Sequence, residues 1–294
     1  MPRRARLDAP GTLHHVIVRG IEKRRIVDDT TDRKDLVSRM GDTAKATGTA
    51  IYAWSLMTNH LHILLRSGRA GLPRFMRRFL TGYAIRYNLR HSRHGHLFQN
   101  RYKSIVCDED AYFTELVRYI HLNPIRAGLV KDLKELKRYP WSGHSALMGK
   151  VDSGWQDRRH VLSWFGKDEE EAVLAYRQFI ADGLGEGRRP DLVGGGLVRS
   201  LGGWSQVKSL RSSGEKVRAD ERILGTGDFV EQIIEEAEQA IRRQIPAGRM
   251  LEAAQRYIAK ACADDGVQLA HLRSGARRAE VSRCRSKVAR HLVG

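Results

Sequence analysis

The chain is poor in cysteine, poor in acid and without any long apolar run, and each shortage narrows what it can be. Its three cysteines, Cys107, Cys262 and Cys284, are far apart and form no C-x-x-C pair. That argues against a zinc ribbon and a disulfide scaffold and fits a reducing cytoplasm. No stretch of ~18 apolar residues occurs, so no membrane span is expected. The basic N-terminus, Met1-Pro2-Arg3-Arg4-Ala5-Arg6, is not followed by an apolar signal core, and a cytoplasmic location is the expectation. Acid is outnumbered by base: 34 Asp and Glu face 52 Lys and Arg, a formal net charge of +18 over 294 residues. A protein this basic repels itself when compact, and a polyanion relieves the repulsion, which points to nucleic acid. The plainer alternative is a protein that is basic by composition only. Hydrophobic residues at 41% and charged residues at 29% allow a real core and speak against wholesale disorder.

Patterning along the chain gives an alternation of strands and helices. Residues 12–19 read as a β-rich strand, and residues 31–47 carry helical spacing with Asp29, Thr30 and Thr31 as candidate N-caps. Two β-prone apolar runs, 51–57 and 60–66, flank a Thr58-Asn59 break and read as a hairpin. A basic helix over 72–91, a strand over 103–107 and a helix opening on Asp108-Glu109-Asp110 follow. Acid in a first turn suits the helix macrodipole, and Pro124 is expected to end this helix near Asn123. The fold class is therefore α+β, with helices against an antiparallel sheet. The character changes near residue 150. Residues 168–182 read as a helix, Gly183 to Gly203 as a glycine-rich linker, and 228–243, 249–263 and 279–292 as helices. Three regions result: 1–150, 151–227 and a mostly helical 228–294.

Chemistry is suggested by two places. In His60-Leu61-His62 the histidines stand at i and i+2 of a strand, so both point to one face and their imidazoles can meet on one divalent cation. Two polar residues on an exposed sheet face would have the same spacing. In the helix of residues 109–123, Phe113, Leu116, Val117 and Ile120 form an apolar face, with Tyr112, Tyr119 and Asn123 along its edge. Tyr119 and Asn123 are neighbours on the helix surface, an arrangement suited to a nucleophile beside a metal ligand, or simply to an amphipathic helix with a boundary tyrosine.

The segments SLMTNHLHILL (55–65), GHLFQNRYKSIVCDEDAY (95–112) and RYIHLNPIRAGLV (118–130) resemble the single-tyrosine HUH transposases, and within them the REP-associated tyrosine transposases. RARLDAPGTLHHVIVRG (4–20) and YPWSGHSALMG (139–149) are similar to the same branch. The resemblance covers about residues 1–150. It implies an HUH-type sheet sandwiched with helices, Mg²⁺ or Mn²⁺ bound by His60 and His62 with Asn123 as third ligand, and Tyr119 as nucleophile. Relatives with glutamine at the third-ligand position have Asn123 here, a shorter reach. Tyr112 and Tyr102 remain alternative nucleophiles.

The implied chemistry is cleavage and rejoining of single-stranded or hairpin DNA through a covalent phosphotyrosine. Imidazole ligands lean the choice of ion toward Mn²⁺. A tyrosine ionises near pH ~10, so Tyr119 needs help that the sequence does not name. Arg74, Arg77, Arg78, Arg86, Arg90, Arg93, Arg101 and Lys103 interleave with Tyr83, Phe98 and Tyr102, a pattern suited to phosphate contacts and base stacking. Residues 251–293 resemble the first part of the DNA-binding domain of the bacterial replication initiator, with Val281, Cys284, Val288 and Leu292 as a buried stripe. The resemblance stops before a helix-turn-helix recognition portion, so a truncated or remnant domain is expected. Homodimer and monomer both stay open. The rival readings are a domesticated DNA-binding regulator that no longer cuts, and an RNA-binding module, against which the missing aromatic RNP pattern speaks.

Overall fold

A computed structural model describes residues 7, 10–99, 101–187, 189–193, 220, 222–244, 247–273 and 278–293. By its internal contacts the chain divides into two compact units, Met1–Ala237 and Glu238–Gly294.

The first unit is an α+β sandwich built on a five-stranded sheet. Its strands are β1 (Leu13–Arg19), β2 (Ala50–Leu56), β3 (His60–Arg66), β4 (Lys103–Cys107) and β5 (Ile223–Leu224), in the order β2-β3-β1-β4-β5. The first four pair antiparallel, as the patterning predicts, but β5 joins β4 in parallel, so the sheet is mixed. Residues 151–227 thus lend the sheet its edge strand.

Alternation assigns the faces. Val16, Val18, Leu61, Ile63 and Leu65 pack under α1 (Thr30–Thr47) and α2 (Leu72–Arg90). Leu13, Leu64, Ala53 and Ile105 pack under α3 (Glu109–Arg126) and the short helices after it, α4 (Leu133–Arg138), α5 (Gly143–Leu147), α6 (Arg158–Ser163) and α7 (Glu169–Asp182). A bulge in β2 between Ile51 and Ala53 lets Ile51 and Trp54 serve one core while Tyr52 and Ala53 serve the other. The β2–β3 turn closes where the Met57 amide donates to the His60 carbonyl at 2.9 Å. The Asp29 side chain caps α1 by accepting from the Asp32 amide.

The helix α3 does not stop at Asn123. It continues through Pro124 to Arg126. Proline removes only its own N–H, so one carbonyl, that of Ile120, loses its helical donor. Downstream the turn is rebuilt: the Ala127 amide donates to the Asn123 carbonyl at 2.8 Å and the Leu129 amide to the Pro124 carbonyl at 2.9 Å. Burial of Leu122 and Pro124 holds the segment helical despite the proline.

The helix α7 and a 3₁₀ turn at Pro190–Val193 also belong to this unit: Ala172, Tyr176, Ile180 and Leu192 lie in the α3-side core. From Gly194 to Gly203 the predicted linker lies outside the described residues. The helix α8 (Gly227–Gln244) begins in this unit, where Val230 and Ile233 pack with Val106 and Ile223.

In the second unit, α9 (Ala247–Asp264), α10 (Leu269–Arg273) and α11 (Ala279–Val293) share a small core of Ala261, Cys262, Val267, Val281, Cys284 and Val288. The expected stripe of α11 is buried at its first three positions; the Leu292 side chain lies outside the described residues. Arg285 donates to the carbonyls of His271 and Leu272. No helix among the described residues is long and apolar enough to cross a membrane.

Candidate metal and nucleophile site

Cross-strand register puts the two histidines of β3 beside a third on β1. His62 stands opposite Ile17 and His60 opposite Arg19, so His15, Ile17 and Arg19 share the α3-facing side of the sheet with His60 and His62. His15 and His62 are diagonal neighbours, and the Nε2 of His15 lies 2.9 Å from the Nδ1 of His62. Sequence patterning does not single out His15. The adjacent pair His14-His15 in a predicted strand guarantees one histidine on each face, but pairing is needed to learn which one meets His62.

Hydrogen bonds fix the tautomers. The Nδ1 of His15 is 3.0 Å from the Leu192 carbonyl, which can only accept. His15 therefore donates from Nδ1 and accepts at Nε2, so the partner Nδ1 of His62 must be the donor. That leaves the Nε2 lone pair of His62 available to an ion. The Nδ1 of His60 likewise faces the side-chain oxygen of Asn59 at 2.6 Å, leaving its Nε2 as a lone pair too. Burial lowers the pKa of His60 to about 4, with the charge of Arg19 adding, and lowers that of His15 to about 4. Burial also holds His62 well below the usual histidine range, with His15, His60 and Arg19 contributing. Near neutral pH all three are uncharged, the form that binds metal.

The helix α3 supplies the rest. The ring of Tyr119 meets those of His62 and His15 edge-on, with centroids 5.8 Å and 6.0 Å apart. His60 and His62 are themselves 5.3 Å apart. One turn on, Asn123 carries a buried amide nitrogen position with no hydrogen-bond partner among the described residues. Turning the amide exchanges its oxygen into that place, where a cation would satisfy it. An amide oxygen there, joined with the two neutral imidazoles, would be a donor set that suits a divalent ion. The guanidinium of Arg126 completes the group, 5.6 Å from the centre of the Tyr119 ring. No local pattern in the sequence points to it either.

The alternative nucleophiles are placed otherwise. Tyr102 packs against the opposite core, under α2. Tyr112 lies two helical turns before Tyr119, against the α3-side core. The arginines of α2 also belong to the other layer: Arg74, Arg77, Arg78 and Arg86 are exposed there, and Arg86 pairs with Asp35 at 3.2 Å. Arg77, Arg101 and Tyr102 line a groove of about 580 Å³ with Phe98. Lys103 stands on the α3 side, its Nζ donating to the Val193 carbonyl.

Among the described residues, one group of three acidic or imidazole side chains lies close enough to share an ion: Asp28, Asp32 and His91. Arg90 already occupies it, pairing with both Asp29 and Asp32, so a metal there would have to displace a guanidinium.

No functionally curated protein matches this chain. A solved structure of the REP-associated tyrosine transposase bound to a REP hairpin is similar over 53% of this chain and 98% of that one, at 16% identity and a TM-score of 0.43. Residues 11–123, which include β1, β3 and α3 as far as Asn123, match the family described as IS200-like transposases, and the match supports a transposase role for the first unit.

Proposed function

We propose that the first unit cuts and rejoins single-stranded DNA, at hairpin-forming repeats, through a covalent link to Tyr119. The observation that carries this reading is the meeting of the His60, His62 and Tyr119 rings on one face of the sheet. His60 and His62 would hold Mg²⁺ or Mn²⁺ through their Nε2 atoms, with Asn123 as the third ligand. An ion held there would supply polarisation of the scissile phosphate and would lower the charge that repels a nucleophile.

Tyr119 then forms its Oη–P bond as the P–O3′ bond breaks. The phenolic proton leaves to solvent, and the departing O3′ takes one up. The chain becomes linked to the 5′-phosphate, and a free 3′-hydroxyl is released. The bond energy is kept, so another 3′-hydroxyl can reverse the step and join strands without ATP. The net charge of +18 supplies the attraction for a polyanion.

The test is a denaturing gel of the protein with hairpin-bearing single-stranded oligonucleotides and Mn²⁺ or Mg²⁺. A protein–DNA band should form, and it should vanish with chelator, in Tyr119→Phe and in His60→Ala. An adduct that persists in Tyr119→Phe would move the nucleophile to Tyr112. Tight DNA binding without adduct on any hairpin would favour a regulator that no longer cuts.

A further inference from the structure

Arg126 stands out among its neighbours as a cation left over. Three arginines, Arg118, Arg126 and Arg189, gather near two carboxylates, Glu115 and Glu186. Arg118 takes both oxygens of Glu115 at 2.8 Å and one of Glu186 at 2.6 Å. Arg189 takes the second oxygen of Glu186 at 3.2 Å and reaches Glu115 at 3.3 Å. Both carboxylates are thereby satisfied. Among the described residues, Arg126 makes only long bonds of 3.5 Å, from Nη2 to the carbonyls of Gly183 and Glu186, and its buried Nη1 meets no partner. A half-buried guanidinium whose inner N–H has no acceptor is costly, burial lowering its pKa despite the nearby Glu186 charge, and an anion delivered beside it offsets that cost.

The position says which anion. Arg126 follows Tyr119 by seven residues, two turns along one helix, so both project from the same side. Its guanidinium carbon is 5.6 Å from the Tyr119 ring centre. We propose that Arg126 is a catalytic residue that grips the non-bridging oxygens of the phosphodiester attacked by Tyr119. Its planar fork matches two phosphate oxygens at once. The grip tightens as negative charge builds on those oxygens between formation of the Oη–P bond and loss of the P–O3′ bond. It also supplies the help that a neutral phenol needs, by making phosphorus a better acceptor. This inference rests on the reading of Tyr119 as nucleophile.

Two substitutions separate charge from packing. Arg126→Met keeps the stem and removes the charge, whereas Arg126→Lys keeps the charge and removes the fork. Adduct formation is followed in a single turnover at saturating oligonucleotide, with the affinity for uncleaved strand and the melting temperature measured alongside. The methionine variant should slow adduct formation by about 10²–10³-fold, the scale of one lost transition-state donor. Its melting temperature should match that of the parent, and lysine should recover a measurable part of the rate. Equal rates in both variants, whether both fast or both slow, would overturn the assignment, since neither result depends on charge. If the unmodified protein forms no adduct, the Tyr119 reading itself fails and this inference with it. If it does and Arg126→Met reacts as fast, only the arginine's role is lost.

Discussion

His15 accepts a hydrogen bond from His62 across two strands, Nε2 to Nδ1 at 2.9 Å, while its own Nδ1 is anchored on the Leu192 carbonyl. This chain runs from the 3₁₀ turn after α7 through β1 to β3, and it dictates which nitrogen of His62 remains for an ion. Partners of this kind fix the orientation and basicity of a ligating imidazole, and losing one costs on the order of 10–100-fold in metal affinity. His15→Phe should therefore weaken Mn²⁺ binding by about that factor in calorimetry. In metal-free protein, the imidazole nitrogen resonances of His62 should change from a single tautomer to a mixture. Unchanged resonances in the variant would show that His15 does not set the tautomer.

Much of this site is legible in the local spacing of the chain. The i, i+2 spacing of His60 and His62 and the i, i+4 spacing of Tyr119 and Asn123 are local facts, fixed by strand and helix geometry. His15 is hidden because its partnership depends on strand register, which no local pattern encodes. Arg126 is hidden by a misplaced boundary: with the helix expected to end before Pro124, a residue beyond it has no reason to share a face with Tyr119. The parallel strand β5 is two residues long, too short to show any periodicity, and it is distant in sequence from the β4 it joins.

Acid should destabilise the first unit through its buried histidines. Burial lowers the pKa of His14, His15 and His144 to about 4, from an ordinary 6.5. Between those values the unfolded chain binds protons that the folded chain refuses, so stability is full above pH 6.5 and falls as the pH drops toward 4. Each such histidine contributes a slope of about 1.4 kcal/mol per pH unit in that window. Denaturant unfolding with chelator present, at pH 7 and at pH 5, should show the loss. A flat profile would mean that these side chains are hydrated in solution.

The hydroxyl of Tyr176 joins two buried histidines, lying 2.9 Å from the Nδ1 of His121 and 2.6 Å from the Nδ1 of His144. At most one of these bonds can be donated by the phenol, because it has a single proton, so at least one imidazole donates to it. Tyr176→Phe leaves both ring nitrogens without a partner, each at a cost of about 1–3 kcal/mol. The predicted loss of about 2–6 kcal/mol would be read from denaturant midpoints at pH 7. His121 lies on α3 between Tyr119 and Asn123, so a loosened anchor should also slow adduct formation. A variant as stable as its parent would show that water takes the place of the hydroxyl.

The groove on the far side of the sheet gives the α2 arginines a separable role. Arg77 and Arg101 line it with Tyr102 and Phe98, and the sheet stands between this groove and the face that carries Tyr119. If single-stranded DNA tracks through it, these cations bind backbone phosphate and the rings stack bases, and neither takes part in bond breaking. Taking one cation away from a phosphate should reduce the slope of log affinity against log salt by about 0.7 for a single strand. The double variant Arg77→Ala/Arg101→Ala should thus bind more weakly with a slope reduced by about 1.4, yet form adduct at the parental rate once DNA is saturating. Weaker binding with an unchanged slope would mean that the groove acts through shape, and a slower saturated rate would tie it to the chemistry across the sheet.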